Sequence, residues 1–233
     1  ANSNTAVGEN AMVANTTGAQ NVAVGVSSLD ANTTGATNVA IGFRALSANT
    51  TADNNVAVGK DALYVNTTGT DNIAIGHNAL AGNTTASNNT AVGDQALSTN
   101  STGTENTGFG YLALAANTTA GYNTAIGSTA LDANTDGASN TAVGQSSLST
   151  NTTGGFNTAV GRLSLYANTT ASSNTAVGYN SLSANTTGAN NIAIGVSTLD
   201  ANTTAHDNVA IGNAAMTASN SADNVAIGNL ALT

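Results

Sequence analysis

Apolar and polar positions along the chain repeat one short pattern from end to end. Three residues, most often Val-Ala-Val, Thr-Ala-Val or Ile-Ala-Ile, lead into a glycine, and a Leu follows four residues after it. The glycines fix the frame. Gly8, Gly25, Gly42 and their equivalents through Gly212 stand 17 residues apart, and Gly228 follows after 16, giving fourteen copies. An Asn always stands four residues before the anchor (Asn4, Asn21, Asn38), and a second stands seven after it, usually within Asn-Thr-Thr. Met12 and Met216 replace the Leu near the two ends.

A unit of 17 residues is too short for a helical-pair repeat. Helix propensity is also poor, because Gly, Asn, Thr and Val recur while Leu appears once per period. The Asn-Val-Ala-Val-Gly segment predicts a short strand ended by glycine, and the Ala-Leu segment predicts a second one. Two strands and two turns make one coil. The fold expected is therefore all-β, a parallel β-solenoid (β-roll) of about fourteen 17-residue coils forming a single repeat domain over residues 1–233. Stacking of coils buries the apolar surface that one coil cannot bury alone.

Strand alternation separates two faces. The β-branched residues three and one before the anchor share one face; with the Leu column they are assigned to the interior. Ala6, Ala23, Ala40, Ala57, Ala74, Ala91 and their equivalents then point outward, with Gly108 the exception. A face limited to methyl groups is expected to pack laterally against identical chains; the alternative is a thin core that buries Ala on both sides. The Asn columns are expected to form amide ladders between coils, and the glycine anchor a positive φ or a tight corner.

The Asn-Val-Ala-Ile-Gly-x-x-Ala-Leu pattern around Ile211 and Ile227 resembles the head repeats of trimeric autotransporter adhesins. The longer Asn-Thr-Ala-Val-Gly form with flanking Asn-Thr-Thr-Gly, as around Asn157 to Gly161, is similar to repeats in bacterial and phage fibre proteins. The resemblance covers essentially the whole chain, although the period is longer than the usual adhesin-head repeat. It implies a left-handed β-roll, often in three-chain bundles, acting extracellularly or at the cell surface in attachment to a surface or host receptor.

Composition narrows the chemistry. Three basic residues against twelve acidic ones give a net charge of −9, which cannot neutralise a phosphate backbone, so nucleic-acid binding is not expected. There is no Cys, hence no disulfide and no Cys-ligated metal. No apolar run is long enough for a spanning helix. His77 and His206 occupy different positions in the period. Arg44, Lys60 and Arg162 fall with Glu9, Asp61 and Asp94 just after the anchor and read as solvated turn residues. Asp71, Glu105 and Asp207 share another corner, two or more coils apart. No enzyme, metal site or cofactor is expected.

The chain begins and stops within the repeat. Ala1, Asn4, Leu230, Leu232 and Thr233 are therefore expected to mark ends that stack into a filament, the alternative being a piece cut from a longer adhesin or tail-fibre shaft. Asn-x-Thr tripeptides at Asn15, Asn32, Asn49 and later copies are candidate glycan acceptors, although a turn ladder accounts for them better and a glycan on each coil would crowd its neighbours. The expected function is that of a secreted fibre subunit, structural or adhesive, whose partner is itself. Ice binding is a second alternative, disfavoured because Thr16 and Thr17 are adjacent and point to opposite sides.

Overall fold

The computed structural model describes residues 3–217 and 220–232. The chain falls into two compact units, Ala1–Thr119 and Ala120–Thr233, built from the same coil. The first carries β1 (Thr5–Val7), β2 (Val22–Val24), β3 (Val39–Ile41), β4 (Val56–Val58), β5 (Ile73–Ile75), β6 (Thr90–Val92) and β7 (Thr107–Phe109). The second carries β8 (Thr124–Ile126), β9 (Thr141–Val143), β10 (Thr158–Val160), β11 (Thr175–Val177), β12 (Ile192–Ile194), β13 (Val209–Ile211) and β14 (Val225–Ile227). Within each unit successive strands pair in parallel and in register, Ala57 beside Ala74 in one and Ala159 beside Ala176 in the other. The fold is the expected all-β parallel solenoid, and the described residues contain no helix.

Each coil has one strand, not two. The Ala-Leu segment turns instead of extending. In the coil from Gly59 to Gly76, Asp61, Leu63 and Asp71 all lie in the left-handed region, with φ of 57°, 50° and 58°. Left-handed backbone costs an ordinary residue about 1–2 kcal/mol, so each of the three must be pinned. Asp61 and Asp71 donate their N–H to Phe43 and Asp53 of the preceding coil (3.0 and 3.3 Å), whereas Leu63 donates forward to Ala79 (3.0 Å). The same three corners recur in coil after coil. Leu is suited to the second, at Leu63: it lacks the β-branch that would make this backbone worse.

The two strand faces are the reverse of the expectation. Ala23, Ala40, Ala57, Ala74 and Ala91 are fully buried, while the flanking β-branched residues are half-buried or exposed, Ile73 and Ile75 at 38% and 40%. The lateral contact assigned to the Ala column is thus overturned; the thin-core alternative holds. The column beginning at Ala6 lies inside, and only the first-coil Ala6 is itself exposed. The reason is width. At Gly108, the one position where the column lacks a methyl, an added Cβ would lie 3.1 Å from the Ala113 carbonyl and 3.3 Å from the Leu97 side chain. One methyl and one Leu fill the coil from wall to wall. The Leu column is buried as expected, Leu29 through Leu199 completely, with Met12 and Met216 in line.

The inverted faces give a direct test. Ala74→Val is expected to cost about 1–3 kcal/mol through overpacking, while Ile73→Val, one residue away and outward, should be close to neutral. Thermal melts of the two variants check this. Equal tolerance at both positions would contradict the narrow interior.

Candidate functional site

Below the strands, the Asn columns form the ladders expected of them, and they consume most of the buried polar chemistry. Asn72, fully buried, donates Nδ2 to the Ala86 carbonyl at 2.9 Å, and its Oδ1 accepts the backbone N–H of Asn89 at 3.0 Å. In the second column Asn83 donates Nδ2 to Asn66 Oδ1 (2.8 Å) and to the same Ala86 carbonyl (2.9 Å). The two ladders therefore converge on one carbonyl per coil and tie the two sides of the turn together. Asn202 ends the second column, and its Oδ1 has no hydrogen-bond partner among the described residues.

These bonds settle where the Asn-x-Thr tripeptides stand in the folded coil. Asn32 and Asn49 are fully buried, and the Nδ2 that a glycan would modify donates to Asn15 and Asn32 respectively. They are not accessible acceptors. Asn15 is half-buried, with Nδ2 on the Gly18 carbonyl at 3.0 Å. Of the adjacent threonines, Thr33 is half-buried and donates its hydroxyl to the Thr50 carbonyl at 3.0 Å and Thr34 is exposed, while in the first coil Thr16 and Thr17 are both exposed.

Titratable groups do not assemble. Among the described residues no three His, Cys, Asp or Glu side chains are placed to hold a metal ion. His77 meets Asp94 at 3.0 Å and His206 meets Asp207 at 2.6 Å, all four exposed. The His206 contact, helped by Asn190, holds the Asp207 carboxyl below its usual range. Partial burial pushes Asp200 up. Asp61 differs from the solvated turn residue expected. It is buried beneath Arg44, whose Nε lies 2.8 Å from its carboxylate, and that hydrogen bond holds the guanidinium above its usual range. Arg44 in turn lies over the rings of Phe43 and Tyr64, at 4.9 and 4.5 Å. The pair fixes a corner, with the exposed Lys60 ammonium 3.8 Å from the other Asp61 oxygen.

Of the residues assigned to chain ends, Asn4 joins the first Asn ladder through the Gly18 carbonyl and the Asn21 N–H, both at 2.8 Å. Leu230 and Leu232 are each 56% exposed. Ala1 and Thr233 lie outside the described residues.

What the coil leaves open is the outward face of the strands. The column three before the anchor holds only Thr, Val and Ile, and the column one before it holds only Val and Ile apart from Phe109. No charged or amide side chain interrupts either column in either unit. Seven strands per unit give a face of about 30 Å by 10 Å. Past the anchor it is bordered by further exposed apolar residues, Val26, Phe43 and Tyr111 in the first unit and Tyr179 and Val196 in the second. The signal in the sequence was the absence of charge at these two positions, masked by their assignment to the core. The described residues contain no helix long and apolar enough to cross a membrane. No protein-family model, curated protein or solved structure matches the chain.

Proposed function

We propose that the chain is a non-catalytic structural module of an extracellular fibre, and that copies associate side by side through the outward strand faces. One observation carries the reading: a parallel sheet whose exposed face is built from Val, Ile and Thr, with Phe109 the single exception. Parallel sheets are ordinarily covered on both faces. Here one face is covered by the Leu wall of the same coil, and the other is open. A contiguous apolar patch of this order on a monomer marks an interaction surface. The contact replaces the Ala-based lateral packing. The low charge, the absence of clustered reactive groups among the described residues and the likeness of the repeat to fibre proteins support a passive load-bearing role.

Sedimentation of the purified chain tests this. The wild type is expected to form a defined oligomer, and the double variant Val58→Lys/Ile75→Lys, with two ammonium groups on the face, to sediment as a folded monomer. A wild-type chain that stays monomeric up to its solubility limit removes the reading.

A further inference from the structure

The corner five residues before each anchor is left-handed throughout; most coils fill it with a short polar residue suited to that backbone, and Gln20, Thr37 and Glu105 are polar but longer or β-branched. Asn54, Asp71, Asn88, Ser139 and Ser173 have φ between 58° and 63°, and short polar side chains tolerate this conformation best. Tyr122 and Phe156 do not fit the series. They hold the same backbone, with φ of 64° and 60°, but their rings are 60% and 70% exposed. Neither ring has a cation or hydrogen-bond partner among the described residues. Strain without burial or contact in return is the kind of local cost that functional sites carry.

Two further features set these coils apart. Only Tyr122 and Phe156 are preceded by glycine at this corner, Gly121 and Gly155. An added Cβ on Gly155 would lie 2.9 Å from the Ala138 carbonyl, so the backbone beside the ring is kept thin. The coil between them presents Ser139, whose small side chain leaves the gap between the rings unfilled. Backbone bonds hold the corner at ladder spacing, Ser139 N–H to the Gly121 carbonyl at 3.2 Å and Phe156 N–H to the Ala138 carbonyl at 3.0 Å. The two rings are therefore two coils apart, roughly 9.6 Å, on parallel Cα–Cβ bonds.

We propose that Tyr122 and Phe156 form a two-ring platform that binds an extended, neutral polysaccharide of β-1,4-linked pyranose units. Aromatic rings stack on the apolar C–H face of a pyranose, and two coils span two sugars of such a chain, which presents the same ring face at every second unit. The corner suits an uncharged ligand: from Gly121 to Ser173 its paired positions carry Gly, Tyr, Ala, Ser and Phe, whereas other coils place Asp53, Asp71, Glu105 or His206 there. Ser139 and Ser173 add hydroxyls along the same line for hydrogen bonds to the sugar.

Isothermal titration of the full chain with cellohexaose and chitohexaose tests the assignment, with the curved α-linked maltohexaose as control. The wild type is expected to bind at least one β-linked hexaose and not the control. Tyr122→Asn and Phe156→Asn should each weaken binding by about tenfold or more, and the double variant should abolish it. Asn occupies this corner in other coils, so the variants are expected to melt no lower than the wild type. Absence of wild-type binding, equal binding by the double variant, or equal binding of maltohexaose would overturn the proposal. So would a double variant whose only defect is in self-association, which would make the corner a contact between copies.

Discussion

Gly59→Ala is expected to cost about 4 kcal/mol, a sum of backbone strain and overlap. The anchor sits at φ +134°, a region essentially closed to residues with a side chain. A Cβ there would also lie 2.5 Å from the Gly76 carbonyl oxygen and 2.7 Å from its carbon. Backbone is the obstacle, so no rotamer change relieves it. The two contributions can be separated within the same molecule. Gly228 has almost the same φ, +133°, but a Cβ there would find only the Ala231 methyl at 3.8 Å. Gly228→Ala should therefore lose only the conformational part, about 1–3 kcal/mol. Urea denaturation of both variants reads the difference. Equal midpoints would show that the close approach of neighbouring anchors is not a constraint.

The second large effect lies in the Asn ladder. Asn72→Ala removes the acceptor of the buried Asn89 N–H and one of the two donors to the Ala86 carbonyl. With a buried donor unsatisfied and a cavity left, the loss should be about 3 kcal/mol. Asn72→Asp adds a pH signature. The carboxylate still accepts from Asn89, but its other oxygen faces the Ala86 carbonyl and Asn55 Oδ1, 2.9 and 3.2 Å from the present Nδ2. Both are acceptors, so burial and repulsion raise the folded-state pKa of the new acid. A raised acid pKa means that the folded form holds its proton longer. The variant's stability is then fully present below the unfolded carboxyl value of about 4 and is lost as pH rises through the folded value. Melting the variant across this range against wild type checks the sign; a deficit independent of pH would rule out the charge as its cause.

Much of the coil was legible because identical residues stack on themselves. Glycine spacing gave the period, Asn gave the ladders and Leu gave the buried column, each a statement about one residue over its copy. What failed was the decision between two faces of a three-residue strand. Alternation separates Val and Ile from Ala but cannot say which set points inward, and hydropathy ranked the larger set as core. The interior is instead limited by the distance from strand to Leu wall, which admits one methyl. The missing second strand has a similar origin. Ala-Leu is apolar enough to read as extended, yet Asp61 and Leu63 bend into the left-handed region because backbone bonds to both neighbouring coils hold them there. No propensity scale reports a conformation fixed by the copy above and the copy below.

Tyr122 and Phe156 were visible in the sequence as departures from a small polar corner. They gained meaning only when that corner proved to be strained and the rings exposed. The outward Val and Ile columns followed the same course, hidden by their assignment to the core until burial located them.

In-register stacking carries one more consequence, for how such a chain changes length. Because each coil bonds to its neighbours through equivalent atoms, excision or duplication of 17 residues within a unit rejoins glycine to glycine and amide to amide without a seam. A one-residue change between strands is absorbed without shifting the columns, as between Gly212 and Gly228, where the spacing is 16 and Val225 still pairs in register with Val209. Growth of this architecture is nonetheless quantised, and its natural currency of variation is the whole turn.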